Sequence, residues 1–279
     1  MASFIRFTKL PITIDGTEIF ATSASMAESV PLQRINSLGY DGAIAVATSG
    51  PIEGTWNVDF TYTDGMNGLL SSFRKNWDNK ITVKFGGANE YTKCVMTSLS
   101  YSAEANGIVT CSAGGNSYTC LGKTDDIDGS TPEGPLEPDD YKAIGHGSKT
   151  SVAGLNSEYF NFNWEASRSL TSIYKLNDAN PIHLDFSDET VTASAQGNNL
   201  QGAINAAEDT KNLDYSSICP FSTSLTFGIG SLCATNGFSD QQLTCNGFVQ
   251  DRNIEVTEGD VLRGNITIVD WYSARTDDT

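Results

Sequence analysis

Thr55-Trp56-Asn57-Val58-Asp59-Phe60-Thr61-Tyr62-Thr63 alternates without a break, and this stretch decides the fold class. Successive side chains on a strand point to opposite faces. Trp56, Val58, Phe60 and Tyr62 therefore share one face, and Thr55, Asn57, Asp59 and Thr61 share the other. One apolar and one polar face describe a half-buried antiparallel strand. Upstream, residues 12–20 (ITIDGTEIF) read as strand, turn at Asp15-Gly16, strand. The stretch Ala21 to Gly42 is small and polar. Pro31 bars a central strand position there, and Leu38 to Gly42 (LGYDG) mark a turn. Downstream, Met66, Leu69, Leu70, Phe73 and Trp77 form one helical stripe, with Arg74 and Lys75 turned away. The stripe predicts a helix over Met66 to Trp77 that packs Leu69, Leu70 and Phe73 on a sheet.

The same succession of elements occurs twice. Leu32, Ile35 and Leu38 recur 138 positions later as Leu170, Ile173 and Leu176. Alternating Ile44 and Val46 are answered by Ile182 and Leu184, and the helical segment by Asn199 to Glu208. Strands expected at Ile81 to Phe85 and Cys94 to Tyr101 have counterparts at Ser224 to Ile229 and Cys245 to Val256. A last pair begins at Gly107 and at Gly259, the second of these alternating from Asn265 to Tyr272. Thr124 to Asp140 (TDDIDGSTPEGPLEPDD) lies between the halves, with three prolines, two glycines and seven carboxylates. Such a segment is an extended, solvated spacer. The expected architecture is mainly β, with two tandem antiparallel sandwich or barrel modules that each carry one short helix. They span residues 1–123 and 141–279, with 124–140 as linker. Duplicated modules commonly supply repeated surfaces for assembly.

Composition narrows the function classes. The 279 residues carry a formal charge of −17, from 34 acidic and 17 basic side chains, and the pI is near 4.3. This balance opposes binding to a phosphate backbone or an anionic lipid surface. No apolar run is long enough to span a membrane. Met1 to Leu10 has no apolar signal region, which predicts synthesis in a cytosol.

Chemistry-bearing residues are sparse. His146 lies in Gly-His-Gly, and His183 shares the polar face of an alternating strand with Asp185. Asp126, Asp128 and Glu133 resemble a calcium loop, but Ser130 stands where a third Asp or Asn is needed. The six cysteines form no CxxC pair. Cys111 and Cys120 would face each other across a hairpin turning at Gly115-Asn116. Cytosolic synthesis favours free thiols over that disulfide. No G-x-S-x-G, G-x-G-x-x-G or Walker lysine occurs. No catalytic, cofactor-binding or metal-ligating residue is expected, and no cofactor. Trp56, Trp77, Trp164 and Trp271 could in principle stack on sugars. Trp56 and Trp77 carry core-facing patterns, and Trp271 is equally explained as packing.

The Leu38–Gly42 turn and Gly50-Pro51-Ile52 lead into the Gly54-to-Phe60 strand, with the Met66–Trp77 segment after it. This run resembles the tail-tube proteins of long-tailed bacteriophages. The resemblance covers the first half best and the second half through the internal repeat. It implies a β-sandwich with a flanking helix that closes into rings, the rings stacking into a tube through which DNA passes without specific binding. The expected partners are copies of this chain and other tail proteins, in a virion made in the host cytoplasm. If both modules line the channel, three chains make a pseudo-sixfold ring; if only the first does, six are needed. The lack of a clear second counterpart to the Trp56–Tyr62 strand inclines the sequence towards six. A secreted or surface carbohydrate-binding β-sandwich and a capsid decoration protein are the rival readings.

Overall fold

A computed structural model describes residues 12–118, 149–198, 222–229, 241–255 and 263–271, apart from single residues and short stretches within the first two ranges. The chain is mainly β. Strands β1 (Ile12–Ile14) and β2 (Thr17–Ile19) form the hairpin expected at Asp15-Gly16. Both turn residues take positive φ, 54° and 82°, as a two-residue turn matching strand twist requires. β3 (Ala21–Ser29), β4 (Leu32–Asn36), β5 (Ala43–Thr48) and β6 (Glu53–Thr61) follow. The helix α1 spans Leu69–Phe73, and β7 (Ile81–Phe85), β8 (Asn89–Glu104) and β9 (Thr110–Ser117) complete the first half. The second half contains β10 (Lys149–Val152), β11 (Glu158–Ser167), β12 (Leu170–Ile173), β13 (His183–Phe186), β14 (Thr190–Asn198), β15 (Ser222–Ile229), β16 (Gln241–Glu255) and β17 (Arg263–Asp270).

The duplication is a duplication of topology. Neighbouring strands in the first half run β3-β6-β9-β8-β7-β1, and in the second β11-β14-β17-β16-β15-β10. Every one of these pairs is antiparallel, and β2 is an addition at the end of the first series. Irregularities repeat as well. The first strand of each series carries a bulge, at Ala21/Ser23 and at Tyr159/Asn161. Both long strands, β8 and β16, carry another against their partners, at Met96/Ser98 and Val249/Asp251. Bulges add local twist and bend a strand, so a shared bulge means a shared curvature.

The halves are joined along strand edges. β8 pairs with β7 over its first residues and with β11 from Ser98 to Glu104, with β9 on its other side. One sheet therefore runs through both halves, and its apolar side closes over one continuous core. Trp56, Val58, Phe60 and Tyr62 are all buried in it, as the alternation requires. Tyr101 from β8 meets Trp164 from β11 edge to face, with ring centroids 5.8 Å apart. Arg168, just past β11, reaches back into the first half. Its Nε donates to the Met96 carbonyl at 2.9 Å and its Nη2 to the Lys75 carbonyl at 2.8 Å. Its guanidinium covers the Phe73 and Phe186 rings at 4.9 and 4.1 Å.

Three expectations need correction, and one stretch holds more than was read in it. The helix is five residues long rather than extending from Met66 to Trp77. Gly68 caps it without a side-chain bond, and Ser71 bonds back to the Gly68 carbonyl, so little local energy favours extension. Met66, Leu69 and Phe73 are buried all the same, because the sheet beneath them takes the stripe whether or not it is helical. Ala21 to Gly42, read as small and polar with a turn at Leu38–Gly42, has that turn, with Gly39 and Gly42 at positive φ, and also holds β3 and β4 on either side of Pro31; small polar residues suit strands whose sides face solvent. No hairpin turns at Gly115-Asn116. Thr110–Ser117 is one strand, and Cys111 is a free buried thiol opposite Phe60 and Tyr101. The second half does contain a counterpart of the Trp56–Tyr62 strand, namely β14, which occupies the place of β6. Its inward residues Val191, Ala193 and Ala195 are small, which hid the match. The second helix expected at Asn199 to Glu208, the linker, Trp77, His146 and Cys120 lie outside the described residues.

Candidate assembly surfaces

The outward side of the shared sheet is a field of short polar side chains. Ser23, Asp59, Ser112, Ser100, Glu165 and Thr192 follow one another as direct cross-strand partners over β3, β6, β9, β8, β11 and β14. A second row runs Ser25, Asn57, Gly114, Ser98, Ser167 and Thr190. Hydrogen bonds stitch the strands together on this side. Ser23 donates to the Asp59 carboxylate and Ser102 to the Asn163 amide oxygen, each at 2.6 Å. Bonds from Ser23 and Ser112 hold the Asp59 carboxyl below its ordinary pKa, so it stays charged in mildly acidic solution. β3, β6, β9, β11 and β14 contain no lysine or arginine anywhere in their lengths, yet include Glu28, Glu53, Asp59, Glu158 and Glu165. Over these five strands the surface is hydroxylated and carries carboxylates without cations, which does not favour a polyanion; Lys84 on β7 is an exposed cation elsewhere on the same sheet, 3.6 Å from Glu90.

Besides β2 and β10, which end the strand order, two further strands of this sheet have an open edge among the described residues. β3 pairs with β6 on one side only. β16 pairs with β17 along its C-terminal part, and its other side is paired with β15 only as far as Phe248. Unpaired strand edges are templates for further strands. β3 begins the first series, and β16 holds in the second series the place that β8 holds in the first.

Each half also carries a two-stranded ribbon, β4–β5 or β12–β13, between the first two strands of its series. The ribbons share a register at the spacing of 138 positions. Leu32 pairs with Thr48 and Ile35 with Ala45; Leu170 pairs with Phe186 and Ile173 with His183. Their surroundings differ. The β12–β13 ribbon lies on the first half, where Leu184 is buried with Val95 and Tyr118 and flanked by Leu170 and Phe186. Tyr118 Oη and Ser172 Oγ are 2.9 Å apart, and the Tyr174 hydroxyl donates to Glu53. The β4–β5 ribbon leaves Leu32, Ile44 and Val46 exposed.

His183 is exposed on β13 beside Asp185, on the polar face. Cys94, Cys111 and Cys245 are buried, and burial pushes the thiols of Cys94 and Cys245 up to about 12 and that of Cys111 higher still. Such thiols are poor nucleophiles. Trp56 and Trp164 are buried, leaving Trp271 as the exposed indole among the described residues. Those residues hold no cluster of three metal-ligating side chains and no helix long and apolar enough to cross a membrane. Asp126, Asp128 and Glu133 fall outside them. No protein-family model matches the chain, and no curated protein matches it.

Proposed function

We propose that this chain is a non-enzymatic structural protein of a phage-type tail, assembling through its strand edges into stacked rings around a channel for DNA. The observation that carries the reading is the junction of β8 with β11. It joins two copies of one strand series edge to edge, and leaves β3, the counterpart of β11, and the C-terminal part of β16, the counterpart of that part of β8, with open edges among the described residues. A chain built this way is two consecutive segments of a ring. Repetition of the strand order in the second half supports closure by three chains into a pseudo-sixfold ring over closure by six. Ring closure covers the open edges of β3 and β16, which stabilises them against promiscuous pairing.

The hydroxylated face of β3, β6, β9, β11 and β14, which carry no lysine or arginine, suits a lumen wall. DNA slides past carboxylates without adhering, and the field of each charge is screened beyond about 8 Å at physiological salt, so many residues act together. The sugar-binding alternative has lost two of its four tryptophans to the core. Electron microscopy and native mass spectrometry of the purified protein test the proposal. Rings or short tubes in multiples of three chains are the expected result; a monodisperse monomer at every concentration would refute it, as would a basic lumen in the assembled particle.

A further inference from the structure

The contact that buries the second ribbon has a counterpart that no ribbon among the described residues occupies. β8–β9 and β16–β17 superpose in register at a spacing of 153 positions. Met96 pairs with Gly115 and Ser98 with Gly114, as Val249 pairs with Ile268 and Asp251 with Thr267. Val95 and Tyr118, the seat of the β12–β13 ribbon, therefore correspond to Phe248 and Trp271. Those two rings stack on each other with centroids 6.5 Å apart, and Trp271 is 50% exposed. In the first half the seat is filled: Leu184, 2% exposed, packs on Val95 and Tyr118. Its equivalent on the free ribbon, Val46, is 62% exposed.

We propose that a second copy of this chain lays its β4–β5 ribbon on the Phe248·Trp271 pair and its β3 edge along the C-terminal part of β16. The contact between chains then repeats the contact within the chain. The inference rests on the ring-assembly reading and names the surfaces that perform it.

Side-chain volumes support the match. The occupied seat is small, Val95 and Tyr118, and takes the large Leu184 and Phe186. The open seat is large, Phe248 and Trp271, and its ribbon offers the smaller Val46 at the register position of Leu184. Complementary changes of this kind keep packing volume constant across a contact. Ser172, which meets Tyr118, is replaced by Arg34 facing Trp271, a cation opposite an indole.

The strand edges agree. Trp164 lies opposite Tyr101 in the β8–β11 pairing and Ala166 opposite Leu99. Carried to β3 and β16, the same register sets Met26 opposite Ile254, Ala27 opposite Asn253 and Glu28 opposite Arg252.

The test uses the full-length chain. Directly opposed strand residues have Cα atoms about 4.5–5.5 Å apart, within the range a disulfide spans. The double variant Ala27→Cys with Asn253→Cys is expected to form, on mild oxidation, disulfide-linked multimers whose peptide map joins segments 27 and 253. Either single variant should not. Val46→Asp, an exposed change that leaves folding intact by circular dichroism, should weaken ring formation at least about tenfold, because docking would bury a charge. Rings that persist unchanged in Val46→Asp, or that form without the 27–253 link, overturn this assignment of surfaces while leaving ring assembly standing. A wild-type chain that stays monomeric at every concentration overturns both.

Discussion

Arg168 offers the sharpest test of how the two halves are held together. Its guanidinium belongs to the second half and satisfies two carbonyls of the first, those of Met96 and Lys75, while lying over Phe73 and Phe186. Each charge-assisted bond contributes about 1.5–3 kcal/mol, and the ring contacts about 1–2 kcal/mol. Against this stands the desolvation of a largely buried cation. Burial lowers the Arg168 pKa to about 10, opposed by the charge of Glu189, so the group is still protonated at neutral pH. Removing the side chain recovers that desolvation cost but leaves two carbonyls without a donor, at about 1–3 kcal/mol each. The balance for Arg168→Ala is a loss of about 2–4 kcal/mol. Arg168→Lys keeps the charge, but an ammonium cannot bridge two carbonyls while stacking flat on two rings. It should lose about 1.5–3 kcal/mol. The assay is urea denaturation followed by tryptophan fluorescence, with Arg168→Met as an apolar filler of similar length. If the Met variant unfolds at the wild-type midpoint, the guanidinium acts as packing alone and the reasoning above is refuted.

Three further outcomes follow from the core. Phe73→Ala should cost about 3–5 kcal/mol, since the ring, at the end of α1, is fully buried and covered by Arg168; an unchanged thermal midpoint would mean that the stripe is not anchored in the sheet. Gly115→Ala places a Cβ 2.0 Å from the Val95 carbonyl oxygen, a contact only backbone movement relieves, so the variant should be recovered unfolded or insoluble and a soluble, cooperatively folding one would contradict the register at that bulge. Cys94 and Cys245 bind their protons more tightly when folded, from an ordinary 9.0 up to about 12. The unfolded chain therefore ionises first, and stability present below pH 9 is lost progressively between about pH 9 and 12. Denaturation midpoints that stay flat across that interval, or rapid iodoacetamide labelling of these two cysteines in the native protein at pH 8, would contradict it.

What the sequence determined was whatever one strand or one turn decides locally. The Thr55–Thr63 alternation named its buried face, because burial on a half-covered sheet follows the two-residue period of the strand. Asp15-Gly16 set its turn, because few other pairs tolerate positive φ at both positions. The repeat was legible in Leu32, Ile35 and Leu38 against Leu170, Ile173 and Leu176, since the ribbons keep their register. The β3 and β4 strands were not legible: their side chains face solvent on most sides, and no apolar period marks a strand that has not found its partner. Nor was β14, whose alanines fit under larger neighbours that only the pairing reveals. The join of β8 to β11, the hold of Arg168 on two distant carbonyls, and the contrast between the covered and bare ribbons came from tertiary structure alone. Each depends on which residues far apart in the chain meet across a strand edge, and backbone hydrogen bonds leave that choice unwritten in any local pattern.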